Sequence, residues 1–181
     1  MCMDVKKYSK YLIITIIVFC VCFASIFFFK LYPLKHKSII INYASMNGIQ
    51  KELVAGIINI ESSFRSDVVS GKGAVGLMQL LPSTAKWMCE KKGINYNYNS
   101  LFMPEYNICL GCYYLSYLIN KFNNVNTAVV AYNAGEGVVL NWLQDNQICA
   151  DGKTLNAVPY KETENYLKRV MSAMRVYKVR F

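Results

Sequence analysis

Histidine is almost missing from this chain of 181 residues: His36 is the only one, and it sits just beyond a long apolar run. A Ser-His-Asp or Cys-His nucleophile in the body of the chain is thereby excluded, and so is a histidine-ligated zinc hydrolase. The glycine-rich stretch from Ser70 to Gly76 lacks the G-K-[ST] ending of a phosphate loop, since Leu77-Met78 follow. Cys109 and Cys112 form a single C-x-x-C, with no second pair to complete a zinc set. On a helix, positions three apart share a face, so packing is the commoner reason for that spacing. If the body of the chain lies outside the cell, Cys89, Cys109, Cys112 and Cys149 allow up to two bridges, with connectivity open. Nothing here implies a metal or a cofactor. Acid is scarce as well: 11 Asp and Glu against 20 Lys and Arg give a formal charge of +9. That surplus is spread along the chain and reads either as a solvated basic surface or as attraction for a polyanion. Zinc-finger spacing and arginine-rich helices are both missing, so nucleic acid is not the expected partner.

What is present begins with Tyr11 to Phe29, a run without any charged residue. At ~1.5 Å per residue such a helix matches the hydrocarbon thickness of a bilayer. A buried globular helix would carry a polar stripe, and a cleaved signal peptide would have a shorter apolar core ending in small residues. Ala24-Ser25 is the only small pair, and the apolar run continues past it. The expectation is an uncleaved single-span membrane anchor over residues 11–29, after a short tail (1–10) and before a basic linker (30–37) broken by Pro33. Lysines flank both ends, so charge alone does not orient the span.

From Ser38 onward the apolar spacing is helical almost throughout. Helices are expected up to Gly48, over Gln50 to Ser62, from Pro82, from Pro104 to about Phe122, and over Thr127 to Asn133. Two more are expected over Val138 to Gln144 and Pro159 to Tyr177. Proline at a first helical turn costs little, which suits Pro82 and Pro104 as openers. Gly93 to Ser100 reads as a polar loop and Asp151-Gly152-Lys153 as a surface turn. No strand and no repeat is supported. The fold class is all-α: one domain, residues 38–181, behind a single N-terminal transmembrane helix.

Acid–base chemistry in that domain must come from carboxylates and tyrosines. Glu61 stands out among the ten carboxylates after Ser38, because it follows Ile57-Ile58-Asn59-Ile60 and precedes Phe64. A carboxylate on an apolar face ionises reluctantly, which raises its pKa toward the range of a proton donor. From composition alone, a helix-end glutamate turned to water is an equal reading.

The motifs decide between them. Glu61-Ser62-Ser63-Phe64, followed by Gly73-Ala74-Val75-Gly76-Leu77-Met78-Gln79-Leu80-Leu81-Pro82-Ser83-Thr84-Ala85, resembles the core signature of SLT-type (family 1) lytic transglycosylases. Pro104-Glu105-Tyr106-Asn107-Ile108, Ala131-Tyr132-Asn133-Ala134-Gly135 and Glu162-Thr163-Glu164-Asn165-Tyr166 resemble three further motifs of that family, in the same order. Departures are Met103 where an aspartate cap is usual, Leu81 for a methionine, and Glu136 where proline is common.

The resemblance implies a lysozyme-like helical fold with a groove for a glycan strand, and an enzyme acting on peptidoglycan outside a bacterial cell, which the apolar run would anchor in the membrane. It implies Glu61 as the single catalytic acid and base. As substrate-binding residues it implies Ser62, Met78, Gln79, Tyr132, Asn133 and Tyr166, the last also holding the carboxyl. Partners would be peptidoglycan strands and, through the anchor, the membrane. An ordinary glycosidase needs two carboxylates, ~5–5.5 Å or ~6.5–9.5 Å apart; the segment after Glu61 offers only Asp67 before Glu90. That shortage favours a transglycosylase over a goose-type hydrolase. A non-catalytic wall-binding subunit of an envelope-spanning machine fits the anchor but not an intact Glu61 motif.

Overall fold

A computed structural model describes residues 5–149 and 154–181; the expected turn at Asp151–Lys153 lies outside them. The described residues divide between Pro33 and Leu34 into two compact units. The first is α1, Val5–Leu31. Its stretch Tyr8–Leu31 is 24 residues long and apolar enough to cross a membrane, and none of that stretch is buried. Helix thus extends on both sides of the expected 11–29 span, into the tail and linker. The Thr15 and Ser25 hydroxyls donate back to the carbonyls of Tyr11 and Val21, so these polar groups are satisfied inside the helix.

The second unit holds α2 (Lys37–Met46), α3 (Lys51–Ser62), α4 (Pro82–Lys92), α5 (Pro104–Phe122), α6 (Val125–Ala134), α7 (Glu136–Leu143) and α8 (Lys161–Tyr177). A short 3₁₀ turn, Asn99–Phe102, occupies the end of the expected Gly93–Ser100 loop. No strand forms among the described residues; only isolated bridges join Val75 to Val69 and to Leu80.

α3 is the axis of this unit. Leu53 to Asn59 are all buried, so the helix is covered nearly all round rather than on one stripe. Its most extensive packing is against α8, and Gly56 permits the close approach. A β-carbon there would lie 3.1 Å from the Val170 carbonyl and 3.2 Å from the Met174 amide. Helix boundaries follow local chemistry. Pro82 and Pro104 stand in first turns, and the Asn124 side chain caps α6 by accepting from the Thr127 amide at 3.0 Å. Met103, as expected from its side chain, gives α5 no such cap.

The cysteines of this second unit belong to its core, whereas Cys20 and Cys22 of α1 are exposed. Cys89, Cys109 and Cys112 are buried without a disulfide, and Cys149 is buried too. Cys89 Sγ lies 3.1 Å from the Tyr106 hydroxyl. Burial pushes the Cys112 thiol well above its usual range, which favours packing over redox use.

Candidate active site

Glu61 lies in the last turn of α3, and the residues just beyond Ser62 fix that end of the helix. Ser63 and Phe64 both take left-handed backbone conformations, with φ of 51° and 60°. Such angles are costly for residues with side chains and persist where packing over-determines them. Here Phe64 is 2% exposed and meets the Tyr177 ring at 6.0 Å. Ser62, also buried, donates from Oγ toward the carbonyls of Leu77 (2.9 Å) and Ile58 (3.1 Å), tying the helix end to the next loop.

That loop, residues 70–81, folds into two tight turns around Val75. The Ser70 hydroxyl accepts from the Ala74 amide at 3.0 Å, while Val75 and Leu80 exchange backbone bonds at 2.9 and 3.1 Å. Asn107 of α5 holds it from below. Fully buried, its amide donates to the carbonyls of Val75 (2.9 Å) and Leu101 (2.8 Å) and accepts from the Met78 amide (2.8 Å). Gly76 makes room for it: a β-carbon there would fall 2.3 Å from Asn107 Nδ2, and φ is +78°.

Glu61, this loop, α6 and the start of α8 enclose a cleft of about 480 Å³. Its walls are Glu61, Ser70, Gly71, Lys72, Ala74, Gln79, Leu81, Tyr132, Asn133 and Glu162. Tyr166 of α8 donates its hydroxyl proton to Glu61 Oε1 at 2.6 Å. Burial lifts the Glu61 carboxyl from 4.5 to about 7, against the Tyr166 hydrogen bond and the Arg169 charge, which both pull it down. Tyr132 donates to the Met78 carbonyl at 2.8 Å. Burial, and then the charge of Glu61, hold the Tyr132 and Tyr166 phenols well above their ordinary range, so both stay protonated donors. A carboxyl that titrates near neutrality beside a hydroxyl-, amide- and ammonium-lined cleft can give and take a proton on a bound polar ligand.

Of the expected site residues, Glu61, Gln79, Tyr132 and Asn133 meet on the cleft wall, and Tyr166 backs the carboxyl. Two are placed differently. Met78 is fully buried, with its side chain filling the space left by Gly111, where a β-carbon would fall 2.2 Å from the sulfur. What Met78 offers the site is its backbone, held at both ends by Tyr132 and Asn107. Ser62 likewise turns inward to brace the loop, and its side chain is no part of the cleft wall. Gln79, with φ of 48°, donates Nε2 to the Gly76 (2.9 Å) and Val68 (3.1 Å) carbonyls. Two charged wall residues, Lys72 and Glu162, are not among the expected site residues. Lys72 sits in a glycine-rich turn with no signal of its own. Glu162 does have one: it lies four residues before Tyr166, hence on the same face of α8.

Compared with known proteins, residues 38–154 match the family described as the transglycosylase SLT domain. This chain belongs to that family. The SLT chain is 34% identical over 152 residues to the soluble lytic murein transglycosylase of Escherichia coli K12, which covers 81% of this chain and 23% of the relative. It is 31% identical over 166 residues to membrane-bound lytic murein transglycosylase C of Haemophilus ducreyi, covering 79% of this chain and 45% of that one. Among solved structures it superposes on an inactive glutamate-to-glutamine variant of the lytic transglycosylase Slt from Pseudomonas aeruginosa. There the TM-score is 0.74 and the identity 37%, covering 82% of this chain and 25% of that one. The SLT chain therefore spans about a quarter of the soluble relatives and under half of the membrane-bound one.

Proposed function

We propose that this protein is a membrane-anchored lytic transglycosylase. In this reading it cleaves the β-1,4 bond between MurNAc and GlcNAc of peptidoglycan and leaves 1,6-anhydro-MurNAc ends. The observation that carries the reading is the buried Glu61 carboxyl, raised to about 7 and held by Tyr166 at 2.6 Å on the wall of a polar cleft. The relatives' names and the inactivity of the glutamate-to-glutamine variant of Slt support it.

Protonated Glu61 gives its proton to the glycosidic oxygen as that bond to C1 breaks, and the GlcNAc hydroxyl leaves. The 2-acetamido oxygen of MurNAc stabilises the electron-poor C1. Glu61, now a carboxylate, takes the proton of the MurNAc C6 hydroxyl as its oxygen closes on C1. No water is consumed, and Glu61 ends protonated as it began. Gln79, Tyr132 and Asn133 are assigned to the glycan, and Tyr166 to holding the carboxyl during both transfers. α1 is assigned as a single span, with the SLT unit on the outer side where the substrate is.

One observation favours a second reading, hydrolysis: Glu162 is another carboxylate on the same wall, where it could activate water. It is exposed, one helical turn before Tyr166, which places it nearer solvent than Glu61. Mass spectrometry of digested peptidoglycan separates the two. Anhydro ends from wild type and from Glu162→Gln, with none from Glu61→Gln, support the lyase; reducing MurNAc ends that vanish in Glu162→Gln establish the hydrolase.

A further inference from the structure

A second cavity, of about 330 Å³, opens between α4, α5 and the end of α2, and it shares no residue with the Glu61 cleft. Asn47, Met88, Lys91, Lys92, Tyr113, Ser116, Tyr117 and Asn120 line it. Lys91 and Lys92 end α4, about 15 Å along that helix from Leu81 on the cleft wall.

Its chemistry is that of an oxyanion site. The Lys91 ammonium is seated 4.8 Å from the Trp87 ring centre and 5.0 Å from that of Tyr117, and Lys92 is 4.6 Å from that of Tyr113. Cation–π seats of this kind hold the two heads in place without neutralising them. No carboxylate lines the cavity, and among the described residues neither lysine has an acid within ion-pair distance. Glu90, the neighbour of Lys91 on α4, is exposed and pairs with neither lysine, and Glu136 is engaged by Lys121 and by the Tyr117 hydroxyl. The attraction between a helix C-terminus and cations accounts for lysines at the end of α4. It does not account for the Asn47 and Asn120 amides and the aromatic walls that converge with them around a hollow, whose Ser116 and Tyr117 hydroxyls are given to the Asn47 carbonyl and to Glu136. Asn47 Nδ2 is tied to the Tyr43 carbonyl, which leaves its side-chain oxygen for a ligand. The Asn120 amide completes the ring of neutral polar groups. Together these suit sugar hydroxyls beside a negative charge.

We propose that this cavity is a second, non-catalytic binding site for an acidic cell-wall glycan, taking one carboxylate or phosphate between Lys91 and Lys92 while a sugar ring rests in the hollow. Such a site would keep the enzyme on the polymer while the Glu61 cleft releases its product, and the two contacts together raise the effective concentration of wall at the cleft. Binding here does not depend on the lyase reading, because Glu61 takes no part in it.

The test uses the full chain in detergent, carrying Glu61→Gln so that the wall stays intact, and measures co-sedimentation with insoluble sacculi. Lys91→Gln/Lys92→Gln should weaken binding about tenfold, while Lys91→Arg/Lys92→Arg, which keeps both charges, should bind nearly as the parent does. Sacculi before and after hydrofluoric acid extraction, which removes phosphodiester polymers, identify the anion. A loss on both preparations assigns a carboxylate of peptidoglycan, and a loss only before extraction assigns a phosphate. With Glu61 restored, the glutamine pair should turn over a short soluble glycan at the parent rate. Equal sedimentation of parent and glutamine pair overturns the proposal. So does an arginine pair as weak as the glutamine pair, or a parallel fall in soluble-glycan turnover.

Discussion

Two corners of the SLT unit each present a glutamate to a tyrosine. At the end of α3, Glu61 accepts from Tyr166 at 2.6 Å. At the start of α7, Glu136 accepts from Tyr117 at 2.9 Å. The difference is the rest of the shell. Glu136 has the Lys121 ammonium against it, and the pairing raises Lys121 above its usual lysine value through that hydrogen bond. Glu61 has burial and a neutral phenol, with Arg169 acting only from a distance. One corner holds a charge pair, the other holds a proton. A tyrosine partner is therefore common to both corners; a cation in contact with the carboxylate is what separates them.

The comparison can be broken most forcefully by removing the two carboxyls. Glu61→Gln should lower turnover of purified peptidoglycan about 10³-fold, within the ordinary span for a lost general acid–base. Glu136→Gln should stay within about threefold of wild type in the same assay. A large loss from Glu136→Gln would show that the paired corner takes part in the chemistry.

The same substitution at Glu61 has a stability signature. Its carboxyl binds a proton more tightly folded (about 7) than unfolded (4.5), so wild-type stability falls as pH rises through that window and the full cost is present above pH 7. At about 1.4 kcal/mol per pH unit the cost is on the order of 3 kcal/mol. Melting curves should show Glu61→Gln more stable than wild type at pH 8, with the gap closing near pH 4.5. A gap that widens on acidification would contradict the burial argument.

Tyr166→Phe removes a bond that favours the ionised carboxyl. The basic limb of the kcat/KM profile, set by Glu61 near pH 7, should move upward, with a loss of roughly tenfold at the optimum. A limb that moves downward would mean that Tyr166 stabilises the acid instead. Making the first corner resemble the second is a milder test. Ala74→Lys puts a further ammonium on the wall of the cleft that holds Glu61 and should lower that limb by about one pH unit. Smallest of all, Glu136→Gln should change unfolding free energy by less than about 1 kcal/mol, as for other partly exposed ion pairs.

Much of this architecture is legible in the chain's residues alone. Pro82 and Pro104 mark helix starts because only a first turn tolerates them. The apolar run before Glu61 points to its burial, and the ordered motifs locate the cleft around Glu61, Gln79, Tyr132 and Asn133. The inward turn of Ser62 and Met78 is not legible, because adjacent residues in a motif can serve opposite sides of the backbone they stabilise. Left-handed Ser63, Phe64 and Gln79 give no warning, since non-glycine residues reach those angles only through tertiary packing. Asn107 stands in a motif, but its role under the loop depends on Val75, Met78 and Leu101, which its own local pattern does not bring together. The Lys91–Lys92 cavity needs α2 and α5 brought against α4, which no local pattern encodes.

The position of Glu61 within its helix has one more consequence. Glu136 opens α7, where the aligned peptide dipoles present their positive end; Glu61 closes α3, where they present the negative one. An anion at that end is opposed by the helix itself, by something like 0.3–1 kcal/mol. Burial is the main reason that Glu61 holds its proton; the helix field acts in the same sense and also favours positive charge on whatever lies against it. A sugar carbon growing electron-poor in the cleft would meet that field, and the carboxylate left behind would be drawn back to its acid form. On the proposed mechanism, α3 serves as a spring that resets the acid at the end of each turnover.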